Sequence, residues 1–405
     1  MLTETNETVR VPDHVLPELV WDKSLDEFTS EGDDPWLAIC RLHELPPVVW
    51  STNAGFGQPA WIMSRYDLIT EAFIDHEHFS ALRPNMIADL LGEPVRMNPI
   101  EIDPPAHHGY RNLLNPYFTP KEIRSIGDSV RQACVELIAK FEDKGGCEFI
   151  SEFAIPFPSY VFLDLMGMPR EKLGDFIEWE DRLMRSPDPA DRVAAAREIY
   201  AYLKEHKDRQ YEHPSNEFLG GLAKGQIDGR PLDNYELMGM YYTLYVGGLD
   251  TVRSTVGWIM DHLATHPEMQ ERLRNDPELI PAAVEEYARA FSVVITHRCV
   301  AKDFVFHGVP MKKGDVVYLP LSLADRDPAA FENPHEIDID RKPRHIAFAT
   351  GVHSCLGVHL AKRELRIVIE EFLKRFRNIR IKPGEKRRYH TGGVFGVDYL
   401  PLIWD

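Results

Sequence analysis

Cys355 stands in FATGVHSCLG, residues 348–357, flanked by Gly351 and Gly357, two residues after His353 and just ahead of a strong helical pattern. The other cysteines, at positions 40, 134, 147 and 299, form no CxxC pair and follow no regular spacing. Neither a disulfide framework nor a zinc site is therefore indicated. Three chemistries suit Cys355. It can be a small buried hydrophobe, the fate of most free cysteines. It can be a nucleophile, which needs a positioned base such as His353. It can be a thiolate ligand of a metal. For the third, the first amides of the following helix stabilise a negative sulfur, Gly351 and Gly357 leave room for a flat ligand against the backbone, and Phe348 can cover the sulfur from water. On the loop alone, the core and metal readings stand level.

Three further groupings could carry chemistry. Glu286 and Arg289 in PAAVEEYARAF are three apart and share a helix face; an exposed ion pair of that kind contributes only ~0.2–0.5 kcal/mol. His107 and Arg111 in DPPAHHGYR lie one helical turn apart after a proline-marked start, with exposed basic residues as the plain alternative. ELMGMYYTLYVGGLDTVRSTVGWIMDHLATHP reads as one long helix interrupted by Gly247-Gly248. Each of those glycines costs roughly 1 kcal/mol against alanine, which calls for a packing or functional reason. Asp250 and Thr251 follow at once; such residues otherwise face solvent or bond the preceding turn.

Taken together, these motifs resemble the cytochrome P-450 family, whose haem-binding signature FxxGxHxCxG is matched by FATGVHSCLG. The resemblance implies haem b with Cys355 as the thiolate ligand of its iron, and Phe348 and Gly351 shaping the loop under the ring. It implies an ExxR pair, Glu286 and Arg289, joined by Arg341 to pin the cysteine loop. It implies His107, Arg111, Arg298 and His353 as partners of the haem propionates, His107 being preferred to His108 on spacing. Gly247 would leave room for dioxygen, and Asp250 with Thr251 would form the acid–alcohol pair that delivers protons. VGGLDTV, DFVFHGVPMKKGD and the closing LPLIWD look closest to the bacterial camphor-hydroxylase subgroup. That likeness implies a C–H hydroxylase using O2 and electrons from a [2Fe–2S] ferredoxin served by a separate ferredoxin reductase.

For substrate, the same matching offers Met86, Val95, Met97, Thr243, Val246, Val294, Val394 and Phe395 as lining residues. Most are apolar and suit a compact terpenoid or norisoprenoid. The camphor hydroxylase has a ketone-binding tyrosine where the ungapped match here is Val95, and no tyrosine occurs between Ala81 and Ile102; this speaks against camphor itself. The competing readings are a peroxide-driven haem-thiolate hydroxylase, which should lack the acid–alcohol pair, and a non-catalytic haem sensor or carrier.

The elements that must position these residues are mainly helical. PPVVWS and PAWIMSR flank a turn-rich NAGFGQ and read as a hairpin. Residues from about 120 to 290 carry helical periodicity almost throughout. FVFHGVPMKKGDVVYLPL reads as strands with a Gly-Val turn, residues 326–350 as irregular, and 358–376 as a last helix. Thirty dispersed prolines and the lack of any linker favour one mainly α domain with a minor β portion over residues 13–405, after a loose arm at 1–12. A core of this size exceeds the usual limit of ~250–300 residues, a strain that a large buried cofactor relieves. The net charge of −18 argues against a general nucleic-acid or anionic-membrane binder. No signal peptide or membrane span is read, so a cytoplasmic monomer is expected.

Overall fold

The helix that carries most of the chemistry begins where Asp233 and Glu236 cap each other: the Asp233 carboxylate accepts from the Glu236 N–H at 2.8 Å, and the Glu236 carboxylate from the Asp233 N–H at 2.7 Å. The structure is a computed structural model that describes residues 11–26, 34–55, 58–82, 88, 91–186 and 188–405. Met86 and residues 1–10 of the expected arm lie outside the described residues. Val11 packs against the core of the main sheet.

Besides the helices Tyr66–Ile74, before the strand Phe79–Ser80, and Pro267–Asn275, the longer helices are α1 (Ala106–Leu114), α2 (Gly127–Ile138), α3 (Pro156–Leu165), α4 (Leu173–Arg185), α5 (Pro189–Glu212), α6 (Asn234–Gly248), α7 (Asp250–Thr265), α8 (Ile280–Ala290) and α9 (Val358–Arg375). Helix α6 is apolar on nearly every side and is accordingly central: Met238, Met240, Tyr241 and Tyr242 are all fully buried. The long helix read from the sequence is divided in two, with Leu249 (φ −104°, ψ −69°) as the joint between α6 and α7.

The main sheet contains β1 (Val48–Gly55), β2 (Gln58–Met63), β3 (Phe79–Ser80), β4 (Ile295–Val300) and β5 (Val316–Pro320), in the order β1-β2-β5-β4-β3. Only the β2–β5 contact is parallel. Opposite Val317 in the β4–β5 register is Arg298, so the sheet fixes where that arginine stands. In the small hairpin that follows β4, Phe306 pairs with Val309. The turn is therefore His307-Gly308, with φ of 47° and 86°, one residue earlier than the Gly-Val expected. Two positive φ values give the tight hairpin turn that suits the twist of the strands.

Apolar side chains gather in three cores. One joins α2, α7, α8 and α9, a second surrounds α6, and a third fills the space beneath the sheet. The α8–α9 pair and the irregular segment 326–350 between them bring the cysteine loop to the place where these cores adjoin.

Candidate active site

The cysteine loop is held by its backbone. The Cys355 N–H donates to the Phe348 carbonyl at 2.8 Å, and the Ser354 N–H to the Gly351 carbonyl at 3.1 Å. Gly351 has φ +69°, and a Cβ there would sit 3.2 Å from the Phe73 carbonyl oxygen. Its glycine is thus required by chain geometry and by close approach to the helix before β3. Cys355 as a residue is exposed, yet burial raises its thiol pKa. The two observations agree if its accessible side faces into the protein and not toward bulk water. The Gly357 N–H and the Arg111 guanidinium act the other way and favour the thiolate.

Next to the sulfur, basic side chains arrive from three segments: His107 and Arg111 from α1, Arg298 from β4, and His353 from the loop. The His107 and His353 rings are 4.5 Å apart, edge to face. Burial, then Arg298, His107 and Arg111, push the His353 pKa down to about 3. Burial, then Arg111 and His108, push that of His107 to about 4. His107 is 1% exposed, and neither of its ring nitrogens has a hydrogen-bond partner; Nε2 of His353 is also buried and unpartnered. His108 is exposed, so α1 turns His107, and not its neighbour, into the group. Arg298 lies 5.0 Å over the Phe73 ring and donates to the His297 carbonyl at 2.9 Å. Buried donors facing one another in this way call for an anion.

Across from the loop runs the α6–α7 joint. A Cβ at Gly247 would meet nothing within 4 Å, whereas one at Gly248 would touch Phe162 at 3.4 Å. The Thr251 hydroxyl donates to the Gly247 carbonyl at 3.2 Å, satisfying an acceptor that the broken helix leaves open. Asp250 is 6% exposed, with an oxygen 3.7 Å from the Arg253 guanidinium.

Glu286 and Arg289 are fully buried, and the partly buried Arg341 reaches them from the surface side. Arg289 donates twice to Glu286, at 2.9 and 2.7 Å, and Arg341 donates once at 3.1 Å. The remaining guanidinium N–H groups bond the carbonyls of Asp325, Pro334 and Glu336, so a charge set that is costly to bury ties α8 to the segment leading into the cysteine loop. Sequence reasoning missed Asp325, which is fully buried and accepts from the Ile346 N–H at 2.8 Å. Burial raises its pKa to about 6. The signal available was SLADRDP, where charge follows directly on an apolar strand.

The proposed lining residues divide between two cores. Val95 and Met97 are buried beside α6, and Val246 packs against the same core. Val294 and Val394 face each other across an isolated bridge on the other side. Phe395 is not brought to them in the same way: its ring packs against Trp36 at 5.2 Å. The Thr243 hydroxyl donates to the Gly239 carbonyl at 2.9 Å.

Unpartnered imidazoles of His107 and His353, the Arg111 and Arg298 guanidinium groups among them, a sulfur reached by the Gly357 N–H and Arg111, and open space at Gly247 fit a haem, with Cys355 to hold its iron and the basic group to hold its carboxylates. The comparisons with known proteins agree. The sequence profile "Cytochrome P450" matches residues 192–396. The chain is 36% identical over 406 residues to "Probable cytochrome P450 127A1" of Sinorhizobium fredii, spanning 97% of each protein. It is 30% identical to "Polyketide biosynthesis cytochrome P450 PksS" of Bacillus subtilis, over 91% of this chain and 95% of that one. Among solved structures, CYP101J2 superposes with a TM-score of 0.87 at 32% identity, and CYP101C1 with 0.88 at 30%. Each superposition covers 98% of this chain and all of the other, a likeness to the camphor-hydroxylase-type subfamily. Among the described residues, no helix is long and apolar enough to cross a membrane. By profile, by sequence and by structure, the chain belongs to the cytochrome P450 family of haem-thiolate monooxygenases.

Proposed function

We propose that this monooxygenase hydroxylates a C–H bond of a compact apolar substrate of the terpenoid or norisoprenoid class, with electrons from a ferredoxin. The observation that carries the site assignment is the pair of buried imidazoles, His107 and His353, with ring nitrogens that lack hydrogen-bond partners among the Arg111 and Arg298 guanidinium groups beside Cys355. In this reading Cys355 ligates the iron, and His107, Arg111, Arg298 and His353 pair with the two propionates. When bound, the haem supplies dioxygen activation, which a thiolate ligand promotes.

The chain's own residues do the rest. Glu286, Arg289, Arg341 and Asp325 hold the cysteine loop. Gly247 keeps the space above the iron clear of side chains, and Phe348 and Gly351 shape the loop below. Asp250 and Thr251 pass protons inward; the Thr251 hydroxyl, now donated to the Gly247 carbonyl, has only to rotate to donate elsewhere. Val95, Met97, Val246, Val294 and Val394 exclude water and present an apolar wall. Thr243 spends its hydroxyl on the backbone, which supports an apolar substrate held by shape. A concave surface lined by Arg124, Lys362, Arg363 and Arg366, adjoining the start of α9 on an otherwise acidic chain, suits an acidic ferredoxin.

Reduced protein with carbon monoxide should show the red-shifted Soret band of thiolate-ligated haem, and Cys355→His should abolish it; an unchanged band in the variant would reject the ligand assignment. Terpenoids and norisoprenoids should shift the haem spin state more than fatty acids do. A preference for fatty acids would overturn the substrate class. Thr251→Ala should keep haem and substrate binding while electrons pass to peroxide in place of product, and full coupling in that variant would remove Thr251 from the proton path.

A further inference from the structure

Two consecutive carboxylates on α8 act on the cysteine loop by different routes. Glu286 holds Arg289 and Arg341. Both oxygens of Glu285 lie 2.8 Å from the Lys362 ammonium on α9, and one of them also accepts from Nε2 of His345 at 3.2 Å. His345 belongs to the irregular segment that leads into the loop. Its Nδ1 accepts from the Ala347 N–H at 3.2 Å, so the ring proton is on Nε2 and the imidazole is neutral. Burial acts to raise the Glu285 pKa, but the hydrogen bonds from His345 and Lys362 prevail and hold it down to about 2. Glu285 and Lys362 thus stand as a fixed pair of full charges.

The pair is placed against one residue in particular. The Lys362 ammonium lies 5.2 Å over the ring of Phe348, and the His345 ring is 5.9 Å from the same ring. Phe348 in turn accepts the Cys355 N–H on its carbonyl at 2.8 Å. A tie between α8 and α9 needs no such placement. With 39% of the Glu285 side chain and 31% of that of Lys362 open to solvent, the pair contributes only ~0–1 kcal/mol to stability. What the placement does supply is a cation on the aromatic wall of the cysteine loop, with a ring in place of screening water on its inner side. The ammonium is the end of the pair that lies on that ring.

Resting on the haem-thiolate reading above, we infer that Lys362, fixed by Glu285 and His345 against Phe348, is a positioning residue that sets how readily the iron held by Cys355 accepts an electron. Groups beyond the ligand itself tune a metal through charge and hydrogen bonding. Reduction adds one negative charge to the centre, and a positive charge fixed nearby favours the form that carries it. A thiolate ligand by itself works against reduction, because it pushes electron density to the iron. Lys362 offsets part of that donation. Glu285 keeps the ammonium from swinging into water, where its charge would be screened. His345, neutral through its backbone contact, steers Glu285 without adding a charge of its own.

The test is a dye-mediated redox titration of substrate-free holoprotein with no ferredoxin present. Lys362→Gln should lower the reduction potential, and Lys362→Arg, which keeps the charge, should stay near wild type. Arg124→Gln removes an equal charge from an exposed position in the same concavity and should shift the potential several-fold less. The C–O stretch of the ferrous carbon monoxide form should fall in Lys362→Gln, because it reports donation from the thiolate. An unchanged potential in Lys362→Gln, or equal shifts in Lys362→Gln and Arg124→Gln, would overturn the inference. So would a lower denaturation midpoint with no change in potential, which would leave the pair as a tie between α8 and α9. The reduced carbon monoxide band, recorded on the same samples, separates the outcomes: its absence in wild type rejects the haem-thiolate reading, and its presence with an unchanged potential rejects the role of Lys362 alone.

Discussion

His353 and His107 are buried as neutral imidazoles, with pKa values of about 3 and about 4 against an ordinary 6.5. Between those values and 6.5, the unfolded chain binds protons that the folded chain refuses. Their contribution to stability is therefore complete above pH 6.5 and is lost as the pH falls through that window. Propionate carboxylates placed among them would favour the protonated forms and raise both values. The denaturation midpoint of haem-free protein should accordingly fall between pH 6.5 and 4.5 more steeply than that of the haem-loaded protein, and His353→Asn should flatten the difference. Parallel profiles for the two forms would contradict the pairing. The identity of these residues was legible from motifs alone. What the sequence left open was which of His107 and His108 turns inward, because adjacent residues on a helix point about 100° apart and only the packing of α1 chooses between them.

Among the elements, α6 makes its closest contact through a glycine. A Cβ at Gly239 would fall 1.9 Å from the Arg96 carbonyl oxygen, which is backbone and cannot swing aside. Asn98 reinforces the contact by donating to the Glu236 carbonyl at 3.1 Å. The segment from Val95 to Asn98 thus lies directly on the helix, carrying two of the proposed lining residues with it. Gly239→Ala should push them apart at a cost of roughly 1–3 kcal/mol, read as a lower denaturation midpoint together with weaker substrate-induced spin shift. Unchanged substrate binding would mean that this segment does not line the pocket. Helical periodicity announced α6, α7 and α9, because each buries one patterned face or is apolar throughout, and the turn-rich NAGFGQ between two apolar runs announced β1 and β2. The split at Leu249 was legible only as an interruption, since two glycines permit a break without specifying one. The Gly239 contact was not legible at all, and SLADRDP marked Asp325 only as charge after an apolar run, because the partners of both lie far away in sequence.

At the scale of the molecule, a net charge of −18 coexists with a basic concavity where α9 begins. Long-range repulsion from an acidic ferredoxin must then be overcome by a local attraction near Arg111 and Lys362, and both are screened by salt over ~8–10 Å at physiological ionic strength. Reduction by a ferredoxin should slow as salt rises, and more so in wild type than in Lys362→Ala. A rate indifferent to salt and to the substitution would place electron entry elsewhere.

The cluster of basic groups beside Cys355 also bears on the life of the polypeptide in the cell. A newly made chain brings His107, Arg111, Arg298 and His353 together before any carboxylate from outside arrives to balance them. Completion of the fold is in this way coupled to delivery of the prosthetic group, because ligand that binds only the folded chain adds directly to its stability. When iron or porphyrin runs short, the apoprotein should be the form that proteases remove first. The abundance of this enzyme would then follow haem supply without any dedicated regulator.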